Sequence, residues 1–136
     1  MPAYSEGTPV RNVSSSTFLP TDDAFVRLSK PTNNYGSKDY LRIKQDSRTV
    51  YFKFTVTGLS GPAQEAKLRL YVTDSGDDGG EIYSVANDYK GTVAAWDENG
   101  LTANNAPDIS GSALDSAGPV SAGQWIELDV TAAITG

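Results

Sequence analysis

The strongest constraint in this chain is a change of polarity at every second residue, repeated in short runs that are bounded by turn-forming residues. Ala24, Val26 and Leu28 share one phase, and Leu41 and Ile43 alternate with Arg42 and Lys44. Phe52, Phe54 and Val56 alternate with Tyr51, Lys53 and Thr55, and Leu68, Leu70 and Val72 with Lys67, Arg69 and Tyr71. Near the end, Ile126, Leu128 and Val130 alternate with Trp125, Glu127 and Asp129. Side chains of an extended chain project to opposite faces with a period of two, so each run predicts a half-buried strand. Clusters rich in Gly, Pro, Asn and Asp at 31–36, 58–62, 74–80 and 99–100 separate them. Only 113–117 and 131–134 have room for a helical turn, and neither sustains a period of 3.6. The pattern predicts an all-β, antiparallel sandwich of the jelly-roll type.

At 136 residues the chain has material for one domain. We read residues 18–136 as a single β-sandwich module and 1–17, rich in Ser, Thr, Pro and Gly, as a linker or N-terminal extension. Residues 1–20 contain no apolar run of the signal-peptide kind, and no stretch approaches the roughly 18 apolar residues of a membrane span. The expectation is an excised piece of a larger secreted protein, with no membrane partner.

Composition excludes much chemistry. The chain has no Cys and no His, which removes disulfide scaffolds, thiolate nucleophiles, imidazole bases and their metal sites. The adjacent acids Asp97 and Glu98 would point to opposite faces of a strand, which does not suit a two-carboxylate glycosidase pair. A polysaccharide lyase can work with Tyr, Lys and Arg alone, but no second base or metal constellation accompanies Tyr35, Tyr51 or Tyr71, so we expect no enzyme. A formal net charge of −6 argues against nucleic acid as a partner.

That charge is unevenly placed. Ten basic residues face six acids up to residue 70, whereas Lys90 alone opposes eleven acids after it. Arg27, Arg42, Lys44, Lys53, Lys67 and Arg69 fall on the polar phase of their runs. If those strands share one sheet, its outer face carries a cationic lattice with Tyr51 and Tyr71 interspersed. Arg forks and Lys point charges would receive the carboxylates of an acidic polysaccharide there.

The ordered series Asp23-Ala24-Phe25-Val26, Asn33-Asn34-Tyr35-Gly36-Ser37, Leu41-Arg42-Ile43-Lys44, Arg48 and Val50–Phe54 opens a resemblance. It continues with 66–72, Trp96, Glu98, Leu101-Thr102, Asn104-Asn105, Pro107 and 125–131. Over about residues 18 to 134 the chain resembles DNRLRE-type domains, classed with carbohydrate-binding module family 96. The resemblance implies a jelly-roll module of secreted multidomain proteins, attached to a catalytic domain such as a lyase or hydrolase. It also implies alginate binding through basic side chains, matched here by Arg42, Lys44, Lys53, Lys67 and Arg69. Ala103 departs from the family, which usually has an aromatic after Leu-Thr.

The full ligand-binding set read from the sequence is Arg27, Lys30, Tyr35, Lys38, Arg42, Lys44, Arg48, Tyr51, Lys53, Lys67 and Arg69. Tyr35 has two readings: an aromatic at the edge of a ligand groove, or a turn residue packed over the sheet beside a left-handed Asn33 or Asn34. The acidic loop Asp74, Asp77, Asp78 and Glu81 is a candidate structural Ca²⁺ site, set against a solvated loop; no other cofactor is expected. Asp22 and Asp23, with Asp129, are a second candidate. Asp129 with Thr131 otherwise caps the last turn, and Trp96 and Trp125 are read as packing residues. The alternative to a glycan-binding module is a structural stalk or adhesin domain without a sugar site.

Overall fold

The computed structural model describes residues 15–134, so the extension read over 1–17 lies outside the described residues up to residue 14. Six strands follow in order: β1 (Asp22–Arg27), β2 (Arg48–Lys53), β3 (Lys67–Tyr71), β4 (Gly80–Ile82), β5 (Asp115–Ala117) and β6 (Trp125–Asp129). A single 3-10 turn, Thr131–Ala133, comes last. The fold is all-β and antiparallel, as expected, and its strands form three two-stranded ladders, β1–β2, β3–β6 and β4–β5.

The strand expected at 41–44 is not formed. Only Lys44 bridges, to Arg48, across a turn in which Asp46 takes a left-handed φ of 58°. Leu41 and Ile43 remain exposed, because only Lys44 of this run hydrogen-bonds to β2, in a reciprocal backbone pair with Arg48. Leu28 is also exposed, since the chain turns directly after β1, where Lys30 N–H donates to the Arg27 carbonyl.

Strand β1 is covered on both faces. Ala24 and Val26 pack with Tyr51, Trp96, Leu101 and Ala106 in the main core. Phe25, on the other face, is only 2% exposed, under Tyr35 and Tyr40. Three consecutive buried residues therefore replace the expected alternation. The phase of β2 is the reverse of that expected: Tyr51 is buried, its ring edge-on to Trp96 at 6.1 Å. Lys53 shares this face and lies over the Trp96 ring at 4.4 Å. Its ammonium donates to the carbonyls of Trp96 and Asn87, which satisfies a charge that would otherwise be costly beside a core. In β3–β6 the alternation holds, with Leu68 and Leu128 paired across the strands and buried.

Carboxylates tie the loops together. Asp115 accepts from the backbone N–H groups of Asp129 and Ser116, and Asp129 accepts from Thr131 N–H and Oγ1, the cap expected from the sequence. Those bonds hold both acids below the ordinary aspartate value of 3.8. Asp23 goes the other way, raised by burial and by the charges of Glu98 and Asp22.

Two tests follow from this anatomy. Leu101→Ala, at a site with no exposed surface, should lower unfolding free energy by about 2–5 kcal/mol, read by urea denaturation, whereas an exposed Leu59→Ala should stay within about 0.5 kcal/mol. Groups with depressed native values stabilise the fold above their unfolded value, and that stability is lost as pH falls through the native value. Stability should therefore drop below pH 3.8, and a D115N/D129N variant should show a shallower drop. Asp23, being raised, opposes this trend and loses its contribution as pH rises.

A basic aromatic groove as candidate binding site

The groove begins with Asn34. Its side-chain amide donates to the carbonyls of Glu98 at 2.7 Å and Leu101 at 2.8 Å, while its Oδ1 accepts from Gly36 N–H. Gly36 presses so closely on this segment that a Cβ would lie 1.8 Å from the Glu98 carbonyl oxygen. Asp22 and Glu98 add reciprocal bonds between β1 and the same segment: Glu98 N–H donates to Asp22, and Asp23 N–H to Glu98 Oε1. Neither Asn33 nor Asn34 is left-handed; among the described non-glycine residues only Asp46 has a positive φ. The motif is a clasp, and it presents Tyr35.

Tyr35 stacks on Phe25 with ring centroids 4.8 Å apart and planes 17° apart, and Tyr40 stacks on Phe25 at 5.8 Å. The Arg42 guanidinium lies 5.4 Å from the Tyr40 ring centre. Arg27 and Arg48 stand directly opposite each other across β1 and β2. With Lys38 these residues enclose a groove of about 160 Å³, lined by Phe25, Arg27, Tyr35, Lys38, Tyr40, Arg42 and Arg48. Four cations meet there without one carboxylate. The ion pairs among the described residues are Arg69–Glu127 and Lys90–Asp108, so none of the four is neutralised in this way. Arg27 Nε is buried and has no hydrogen-bond partner.

Like charges in direct cross-strand register destabilise a ladder, and an unsatisfied buried donor costs about 1–3 kcal/mol. The field is already felt by Tyr35: desolvation works to raise its phenol, but hydrogen bonds with Asn33 and Arg27 and the charges of Arg27 and Lys30 outweigh it and hold the phenol below 10.0.

The structure thus gathers Arg27, Tyr35, Lys38, Arg42 and Arg48 from the sequence-read set, with Lys30 close enough to act on Tyr35. Lys44 lies at the adjoining turn, exposed. The other residues are elsewhere. Tyr51 is buried and its hydroxyl donates to the Pro107 carbonyl. Lys53 is held on Trp96, and Lys67 and Arg69 belong to the separate β3–β6 ladder. The single cationic sheet face is therefore not formed, because the strands do not share one sheet. Phe25 and Tyr40 are groove residues that the sequence reading missed; the period-two series Lys38, Tyr40, Arg42 was the available signal.

A larger hollow of about 330 Å³ lies between 84–92 and 107–110, but its one cation, Lys90, is paired with Asp108 at 3.2 Å. The four acids of the 74–81 loop do not converge: among the described residues no three His, Asp or Glu side chains form a metal-binding group. Asp78 instead accepts from Gly80 N–H, and Glu81 from the Tyr83 hydroxyl. Asp22 and Asp23 meet Glu98, while Asp129 meets Asp115. Asp97 accepts from Asn99 N–H, a turn role. Ala103 packs against the core and does not line the groove.

An unpaired cationic groove with an aromatic floor, on a small antiparallel β scaffold, has the anatomy of a ligand-binding module. The chain belongs to carbohydrate-binding module family 96, whose family model matches residues 14–136. No curated protein matches it. A carbohydrate is thereby the ligand class, and the family is one of non-catalytic binding modules. Among the described residues no helix is long and apolar enough to cross a membrane.

The field on Tyr35 is testable by phenolate absorbance. Tyr35→Phe should remove a component ionising below 10.0, and Arg27→Gln should move that component upward. A titration unchanged by Arg27→Gln would contradict the assignment of its cause.

Proposed function

We propose that the groove binds the carboxylates of an acidic polysaccharide, alginate or a similar polyuronate. The observation that carries this reading is the cluster of four cations without a carboxylate, centred on the Arg27–Arg48 cross-strand pair. A polyuronate presents one carboxylate per sugar, and a guanidinium can take such a group through two parallel hydrogen bonds. Arg27 and Arg48 are the receptors in this reading. Lys38 and Arg42 serve the neighbouring carboxylates, and Lys30 and Lys44 extend the positive field. Tyr35 and Tyr40 form a wall against which a pyranose ring can rest. Lys53, Lys67, Arg69 and Tyr51 take no part.

The remaining elements of the reading follow the family: a jelly-roll module within a secreted protein that also carries a catalytic domain, concentrating that domain on its polymer. Nothing in the groove supplies a base paired with a second proton carrier, which favours holding over cleaving.

Calorimetry with alginate oligosaccharides tests the assignment. Arg48→Ala should weaken binding about 10- to 100-fold, the range for loss of one charge-assisted contact. Lys67→Ala should change it less than about twofold, as expected of an exposed, screened charge. Binding should weaken as salt rises. Affinity that is independent of salt and of Arg48 would overturn the proposal and favour a stalk or adhesin domain.

A further inference from the structure

We infer that the outer face of the β3–β6 ladder is a second carbohydrate-binding surface, on which Trp125 and Tyr71 stack a neutral pyranose ring. Three side chains of each strand face outward in register: Lys67 opposite Asp129, Arg69 opposite Glu127, and Tyr71 opposite Trp125. The first two pairs cancel in charge. Arg69 Nε sits 3.3 Å from Glu127, and the Lys67 charge acts on both Asp129 and Asp115. This is the reverse of the groove, where like charges are left open.

The third pair is aromatic and open to solvent. Trp125 is 57% exposed and Tyr71 53%, so Trp125 is not the packing residue its sequence context suggested. Their rings meet edge to face with centroids 5.3 Å apart. The Arg69 guanidinium lies over one face of the Trp125 ring, 4.7 Å from its centre, which fixes the indole and leaves the sugar the ring's exposed side. Gly123, with φ +86°, keeps the loop beside the Tyr71 hydroxyl free of a side chain.

Each feature narrows the occupant. A polyanion gains nothing from cations that are already neutralised. A protein interface needs a larger apolar core than two rings bordered by charge pairs. A pyranose with equatorial hydroxyls has an apolar C–H face for the indole and hydroxyls for Arg69 and Glu127 at its rim. The surface is therefore matched to an uncharged glycan. Because none of the groove residues lies on β3 or β6, this surface stands or falls independently of the uronate site.

The probes are two neutral β-glucose hexamers, cellohexaose and laminarihexaose, titrated into the whole chain and followed by the indole N–H signals in nitrogen-edited NMR. The two tryptophans are distinguishable, since Trp96 is buried and Trp125 is exposed; loss of one signal in Trp125→Ala completes the assignment. We expect saturable shifts of the Trp125 signal with at least one hexamer and none at Trp96, with affinity insensitive to salt. Trp125→Ala and Tyr71→Ala should each weaken binding at least about tenfold, and Trp125→Tyr should recover most of it. Both residues being exposed, the variants should keep the parent unfolding midpoint. Trp125 signals unmoved by either hexamer would overturn the inference. So would a concentration-dependent dimer that dissociates in Trp125→Ala, which would assign the patch to a second copy of the chain.

Discussion

The site depends on one amide. Asn34 spends both N–H donors on carbonyls of the 98–101 segment and its oxygen on Gly36, which turns a flexible Asn/Gly-rich loop into a rigid clasp. The clasp brings Tyr35 over Phe25, and that stacking covers a face of β1 which would otherwise expose a large aromatic. With both faces covered, β1 is the shared wall between the core and the groove. Stability and presentation of the groove are therefore one problem. Ala24 and Val26 anchor the strand from one side, and Phe25 with Arg27 displays it on the other.

The two longer ladders show the same pairing rule used in opposite ways. In β3–β6, opposite charges face each other across the strands, which stabilises the ladder and leaves its outer face electrically quiet. In β1–β2, Arg27 faces Arg48, an arrangement that adds nothing to the ladder's stability. In the proposed reading, the carboxylate of a uronate offsets that repulsion, so the cost to the ladder and the gain on binding share an origin.

Legibility in the sequence tracked how local the physics was. Alternation is set by the strand itself, so Leu68, Leu70, Ile126 and Leu128 were legible, as was the cap made by Asp129 on Thr131. The family resemblance was carried both by residues that the fold uses as a clasp, Asn34, Gly36 and Glu98, and by residues that line the groove, Phe25, Tyr35, Arg42 and Arg48. Which face of β2 turns inward was not legible. Tyr51 and Phe52 are both apolar enough for either side, and the choice was made by Trp96, far away in sequence. Lys53 then followed Tyr51 inward, because carbonyls of Trp96 and Asn87 were there to receive its charge. Sheet membership is a long-range property for the same reason, which is why the basic positions of 27–48 and 67–69 looked continuous in sequence yet stand on separate ladders.

The net charge of −6 acquires a different meaning once the acids are located. With short ladders and long connections, many backbone N–H groups have no strand partner and need another acceptor. Carboxylates supply it: Asp22 for Glu98, Glu98 for Asp23, Asp78 for Gly80, Asp97 for Asn99, and Asp115 for Ser116 and Asp129. Part of the acidity of the chain is therefore scaffold chemistry, the substitute for hydrogen bonds that a more regular sheet would make for itself. Net charge bears on solubility and long-range repulsion, whereas in the proposed reading the sign that a ligand meets is decided within a few ångströms of Arg27 and Arg48. At ordinary ionic strength, charges beyond about 8–10 Å are screened, so an acidic protein can carry a site for anions provided its acids are kept out of that radius. Here the side chains that line the groove include no carboxylate.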